Sequence, residues 1–543
     1  MKHIVFRGLL VAAAGLPLAA GLSSCTKELD QEPRFEQTPD RVYTSLQGYR
    51  QVLAKAYAGF AVTGQDGPSG RGDIGGIDEG TSDYLRQYWS AQELSTDEAV
   101  VAWNDPGIQD WHNMNWTSAN PLIRGIYTRI FYQVAICNEF LRESADDRLA
   151  ARLSEADAAQ VRRFRAEARF LRAVAYMHAM DLFGNGPFVT ENDPVGFFQP
   201  PYYTRSQYFT FVEQELNALA ADPNFAEPRQ NEYARVDKAA AWAMLSRLYL
   251  NAQVYTGTER YTDAAANAKK VIDAGYSLST AAAGNVSSAY GRLFLEDNNQ
   301  NPARNEIIWP VAFDANNTQS FGGTTFLVNG STGANAAWQR KVGQTTGWLG
   351  LRTTRNLVAL FSDTAADRRG RFWTQGQTLE INDLSQFSQG FGVLKFRNVN
   401  SAGAARGGAQ NQSGIDFPMI RLAEVMLTYA EAVVRGGSGD RNLALQYVNQ
   451  IRARAFAGAA GSAITASQLT TDFLLAERGR ELFWEGYRRT DLIRYGRFVQ
   501  DTYLWPWKGG TRDGRGVEPF RTLYPIPVAD LSVNQNLKQN PGY

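Results

Sequence analysis

Arg235-Val-Asp-Lys-Ala-Ala-Ala-Trp-Ala-Met-Leu-Ser-Arg-Leu-Tyr-Leu-Asn251 runs through Tyr255-Thr-Gly257 into Tyr261-Thr-Asp-Ala-Ala-Ala-Asn-Ala-Lys-Lys-Val-Ile272, and this stretch decides the fold. Trp242, Leu245 and Tyr249 recur at spacings of three and four, so they share one face of a helix. Tyr261, Ala265, Ala268 and Ile272 do the same on a second helix, with Gly275 placed to cap it. The design repeats at Leu422 to Val434 and Asn442 to Ala455, around Gly436-Gly437. Phe170, Val174 and Met177 mark a helix over Ala166 to Phe183, stopped by Gly184 and Pro187. Further helical stretches run from about Tyr43 to Phe60 and from about Asp472 to Arg494.

Antiparallel helix pairs with small residues at the crossing resemble tetratricopeptide units, in which each pair buries its apolar face on the next. Between about 280 and 415 the texture changes to Gly, Asn, Thr, Ser and Trp, with short extended pieces such as Glu306-Ile-Ile-Trp-Pro-Val311. The fold class is therefore mostly α. Tetratricopeptide-like helix pairs form a scaffold over about 42–280 and 415–500, and it carries a long, loop-rich, partly extended insertion over about 281–414. Polar, aromatic-bearing insertions on rigid scaffolds are where binding residues concentrate.

The amino terminus reads as a leader. Lys2, His3 and Arg7 precede an apolar run from Leu9 to Gly21, too short to span a bilayer. Leu22-Ser-Ser-Cys25 then resembles a bacterial lipoprotein box. That resemblance implies a signal peptide over 1–24, acylation of Cys25, a tether over 25–41 and a body over 42–543. Thr26 after the cysteine and the acids Glu28, Asp30 and Glu32 favour the outer membrane and its exterior face. The only other cysteine is Cys137, in an apolar helical stretch, and it reads as core.

Lys and Arg balance Asp and Glu at 55 each, so no nucleic-acid partner is indicated. The mature chain keeps only His112 and His178, which gives no support to His-rich zinc or Ser-His-Asp chemistry. The glycine-rich loop from Gly64 to Asp73 lacks the Gly-Lys-Ser/Thr ending of a phosphate loop, and its Arg71-Gly-Asp73 is a coincidence of composition. No cofactor is expected, although Glu296-Asp-Asn-Asn299 is oxygen-rich enough for a structural calcium ion.

An ordered set of stretches is similar to the SusD/RagB family of nutrient-uptake lipoproteins. It comprises Ala166-Glu-Ala-Arg-Phe-Leu-Arg-Ala173, Phe183-Gly-Asn-Gly-Pro187, Ala239 to Asn251, Asn305-Glu-Ile-Ile-Trp309 and Arg421 to Ala432. Glu477 to Arg494, Leu523-Tyr-Pro-Ile-Pro527 and Gln539-Asn-Pro-Gly-Tyr543 complete it. The resemblance implies a non-enzymatic surface protein that captures oligosaccharides, or peptides in some relatives. It would hand them to a SusC-like TonB-dependent transporter.

Gly76-Ile-Asp-Glu-Gly80 through Arg86, Leu94 to Asn104, Gly322 to Phe326 and Gly347-Trp-Leu-Gly-Leu-Arg352 look like the starch-binding branch, where an aromatic arc cradles an α-glucan. Carried residue by residue, this makes Asp78, Arg86, Trp103 and Asn104 candidate ligands, with Trp348, Trp338 and Phe321 in the insertion. The chemistry fits, because flat rings stack on pyranose C–H faces while Arg and Asn bridge vicinal hydroxyls. Trp111 and Trp116 are weaker binding candidates, and Trp242 and Trp484 read as core. The charges of Glu477 to Arg494 read as a structural ion-pair network. The rival class is a surface glycoside hydrolase, which needs only one suitably spaced carboxylate pair.

Overall fold

The computed structural model describes residues 39–68, 72–280, 287–405, 411–459 and 462–543. The leader, Cys25, the tether as far as residue 38 and Arg71 lie outside them. Helices α1 (Leu46–Ala58) and α2 (Tyr84–Trp89) precede a two-residue strand β1 (Val100–Val101). The scaffold continues as α3 (Pro121–Glu143), α4 (Glu155–Phe183), α5 (Arg205–Ala221), α6 (Lys238–Leu250) and α7 (Tyr261–Ile272). Next come β2 (Ile307–Val311), α8 (Gly323–Gly330), α9 (Ala336–Val342), β3 (Leu351–Arg352) and β4 (Phe417–Arg421). Helices α10 (Leu422–Val434), α11 (Arg441–Ala455), α12 (Thr471–Leu482) and α13 (Arg488–Arg494) complete the main elements.

Local chemistry sets these boundaries. Asp237 accepts from the Ala239 and Ala240 amides and opens α6, while Thr204 and Gln207 close a reciprocal capping box on α5. Gly184 ends α4 at φ +73°, and a Cβ there would meet Leu523 at 2.8 Å. Helix α6 is apolar nearly all round because α5, α7 and α10 surround it. Helix α7 buries only Tyr261, Ala264, Ala265, Asn267, Ala268 and Val271, and its alanines allow close packing on α6 and α10. Trp242 lies half-buried at the margin of this core rather than inside it.

Helices α3 to α7 pack in succession, and α7 then packs against α10. The two ends of the insertion are thereby brought together. Their join is the antiparallel pair β2 and β4, buried at all ten positions. The extended piece at Ile307–Val311 is thus core rather than a surface element of the insertion.

The charged helix expected over 472–494 is two helices. Trp484 at φ +62° and Gly486 at φ +83° break it between Leu482 and Arg488. The break is clamped from the segment after α2. Glu93 accepts from the Gly486 amide at 2.6 Å and the Tyr487 amide at 3.2 Å, and Glu98 accepts from the Trp484 amide at 3.0 Å.

The ion-pair network is present, but most of its partners come from other elements. Arg421 meets Glu306 at 2.9 Å, Glu481 at 2.7 Å and Glu485 at 2.6 Å. Arg369 meets Glu477 at 2.8 Å and Glu481 at 3.1 Å, and Lys395 meets Glu485 at 2.7 Å. All of these side chains are fully buried. Burial opposes ionisation of Glu477 and Glu481, yet the surrounding guanidinium groups hold both carboxyls well below the usual range.

Candidate functional site

The site begins with a strand pair. Val100 and Val101 of β1 stand opposite Arg352 and Leu351 of β3, and the Ala102 amide continues the ladder to the Gly350 carbonyl at 2.9 Å. This pairing places Trp103, which follows β1, beside Trp348, which precedes β3. The Trp103 indole N–H donates to the Trp348 carbonyl at 2.8 Å, and the rings stand 6.4 Å apart, inclined at 49°. Both are half-buried, so each keeps part of its surface in solvent. Gly350 is obligatory here, because a Cβ would sit 2.3 Å from the Trp103 ring. Phe321 meets Trp348 edge-on, with centroids 6.1 Å apart.

Arg86 on α2 ties the pieces together. Its guanidinium lies 4.6 Å over Phe326 and 5.8 Å from the Trp103 ring, and it donates to the Gly80 and Phe321 carbonyls at 3.0 Å each. Desolvation pulls its pKa down to about 10, against the attraction of Asp83, Asp105 and Asp78. Arg86 makes no ion pair with Asp78 among the described contacts. Instead, Asp78 accepts from the Thr81 amide and hydroxyl at 2.8 Å each, in an exposed turn. Asn104 is exposed next to Trp103.

Trp338 does not belong to this group. It is 2% exposed and stacked between Trp373 and Phe387, with centroids 5.2 and 5.7 Å away, so it offers no face to a ligand. Trp111 and Trp116 are likewise interior, both fully buried. Near Glu296–Asn299, Asn298 is spent on structure: its amide donates to the Leu293 and Asp416 carbonyls. No group of three or more His, Cys, Asp or Glu among the described residues is placed to hold a metal.

Two contributors escaped the sequence reading. Asp83 caps α2 through the Arg86 amide at 2.9 Å and accepts from the Gly323 amide, at the start of α8, at 3.1 Å. One buried carboxylate thus fixes Arg86 relative to Phe321, and burial pushes its pKa up to about 6 against those bonds. The turn just before α2 with Asp83 at its end was a readable cap signal. Leu349 is the other: it stands 40% exposed beside Trp348 at φ +52°, and nothing in its sequence context marks it.

Two inclined indoles, an edge-on phenylalanine and an arginine with neighbouring polar side chains make a surface suited to stacking on sugar rings. On a helical scaffold whose N-terminal segment meets a long insertion to build the binding face, this defines a class of carbohydrate-capturing proteins. The SusD family model matches residues 369–543. The chain is 33% identical to the starch-binding protein SusD of Bacteroides thetaiotaomicron, with 100% of each chain covered. It is 24% identical to SusD-like protein P25 of Formosa agariphila, over 96% of this chain and 97% of that one. A surface glycan-binding protein A from Bacteroides thetaiotaomicron, solved with laminarihexaose, shares the fold at a TM-score of 0.68 and 19% identity, covering 91% of this chain and 99% of that one. A laminarin-binding SusD-like protein does so at 0.68 and 21%, covering 92% and 99%. The chain belongs to the SusD family, whose members are non-catalytic glycan-binding proteins.

Proposed function

We propose that the chain captures starch-type oligosaccharides at the cell surface and passes them to a SusC-like transporter. The observation that carries this reading is the pair Trp103 and Trp348, 6.4 Å apart and inclined at 49°. Coplanar rings suit a flat chain, whereas inclined rings suit successive sugars that turn along a curved α-glucan. Each stacked ring that covers ~50–80 Å² contributes roughly 1–2 kcal/mol. Identity to a starch-binding relative supports the same ligand. Acylation at Cys25 places the protein on the outer face of the outer membrane in this reading. No helix among the described residues is long and apolar enough to cross a membrane. Tethering beside the transporter raises the effective concentration of a weakly held glycan.

Calorimetric titration of the chain starting after Cys25 tests the proposal, with maltoheptaose, laminarihexaose and peptides as ligands and the mixtures assayed for cleavage. Saturable binding of maltoheptaose without hydrolysis is expected. Binding of only another glycan or of peptides would remove starch as the ligand, and cleavage would overturn capture itself.

A further inference from the structure

Two cavities that share no lining residue with the tryptophan cleft adjoin where α1, the first half of α4 and the loop between α5 and α6 meet. They share Arg50, Glu232 and Arg235 but differ in chemistry. One, of about 350 Å³, is walled by Leu53, Tyr57, Phe60, Trp309 and Val311. The other, of about 650 Å³, mixes Phe164 and Phe225 with the polar side chains of Gln160, Arg163, Glu167, Glu227 and Gln230. Both volumes lie in the range of small-ligand sites.

The charges of the larger chamber are unevenly committed. Glu167 is held by Arg235 and by the Tyr57 hydroxyl at 2.6 Å. Glu227 pairs with Lys238 at 2.5 Å, and Glu232 pairs with Arg50 and, at 3.4 Å, with Arg235. Every lining carboxylate is thus neutralised. Arg163 is exposed and has no ion pair or hydrogen bond among the described contacts, and the side-chain amides of Gln160 and Gln230, also exposed, are likewise uncommitted. A guanidinium with two carboxamides presents donors suited to a carboxylate. The adjoining chamber offers aromatic and aliphatic walls for an apolar arm.

We propose that these chambers form a second site, distinct from the tryptophan cleft, for a small amphipathic carboxylate. Its carboxylate pairs with Arg163, and its apolar arm lies against Tyr57, Leu53 and Trp309. The exposed Arg50–Glu232 pair spans the boundary and swings aside at little cost, since exposed pairs contribute only about 0–1 kcal/mol. A free fatty acid and the end of a hydrophobic peptide share this chemistry.

The test is calorimetric titration of the chain starting after Cys25 with octanoate and N-acetylphenylalanine, each beside its neutral counterpart, octanol and N-acetylphenylalanine amide. One-to-one saturable binding of at least one carboxylate is expected, with its neutral counterpart about tenfold weaker, as loss of a charge-assisted contact implies. Tighter octanoate would identify a lipid-derived acid, and tighter N-acetylphenylalanine a peptide-derived one. Arg163→Gln should erase the preference for the acid. Ala54→Phe, from an exposed position on the apolar chamber, should abolish binding of both forms with an unchanged melting curve. Should that variant not fold, the surface change Arg163→Gln alone decides. Absence of saturable binding by either acid, or a preference that survives Arg163→Gln, would overturn the proposal.

Discussion

Glu93→Gln should stabilise the protein above neutral pH and leave it nearly unchanged in mild acid. Glu93 and Glu98 are fully buried and interact carboxyl to carboxyl while they clamp the break before α13. The second Glu93 oxygen has no donor among the described residues, the position a shared proton would fill. The facing charges are Arg488, 3.5 Å from Glu98, and Asp97, which takes most of that arginine at 2.6 Å. Burial raises both glutamates, helped at Glu93 by the charge of Glu98 and at Glu98 by that of Asp97, which lifts Glu98 from 4.5 to about 7. Between those values the folded chain holds a proton that the unfolded chain has released. This part of the stability is therefore complete below pH 4.5 and is lost as pH rises through about 7.

A shift of that size corresponds to about 3 kcal/mol. For about 500 residues, with an unfolding entropy near 1 kcal/mol per kelvin, it moves Tm by about 3 °C. The carboxamide introduced by Glu93→Gln would retain the oxygen that accepts from Gly486 and Tyr487 and present a fixed donor to Glu98, replacing the proton. Scanning calorimetry from pH 5 to 8 should show a falling Tm in the parent above pH 6 and a flatter curve in the variant. Asp83 and Asp416, both pushed up to about 6 by burial, add slope of the same sign at lower pH in both proteins. A parent Tm flat across this range, or a Glu93→Gln variant that melts lower at pH 8, would refute the reasoning.

Gly350→Ala should displace the Trp103 ring and weaken glycan binding in titration, at a stability cost of about 1–3 kcal/mol from overpacking. Trp338→Ala and Trp348→Ala should separate core from site. The first should lower stability by about 3–5 kcal/mol in denaturant titration without changing glycan affinity. The second should weaken binding about tenfold with little change in Tm, one stacked ring being worth roughly 1–2 kcal/mol. Arg421→Ala should cost about 3–5 kcal/mol and reduce soluble yield, because it takes from Glu306, Glu481 and Glu485 the one guanidinium they share and leaves three buried carboxylates to Arg369, Arg454 and Lys395.

The scaffold was legible where helices bury one face or stand between helices. The period of Tyr261 to Ile272 survives in the structure, and Leu422–Val434 matches the range read from its pattern. Helix α8 was hidden because it is buried at every position, so Gly323-Thr-Thr-Phe-Leu-Val-Asn-Gly330 shows no polar face to set a period. The break at Trp484 depends on Glu93 and Glu98, almost four hundred residues away, which no local pattern reports. Of the candidate site, Asp78, Arg86, Trp103, Asn104, Phe321 and Trp348 lie in the segments that the β1–β3 pairing and Arg86 draw together. Trp338 and Trp348 sit in equally polar sequence. Only the distant partners Trp373 and Phe387 make one of them interior.

The packing of α7 on α10 makes the insertion an interchangeable head. Because the scaffold itself fixes where that head departs and returns, lengthening it adds only a logarithmic closure term, about 0.6 kcal/mol per doubling. What any replacement head has to keep is its plug into the scaffold: strand β2, and the charges of Glu306, Arg369 and Lys395 that complete the buried network. A lineage holding those few positions constant is free to rebuild the head's side of the cleft, that of Phe321 and Trp348, while Arg86 and Trp103 stay with the rest of the chain and the helices fold as before.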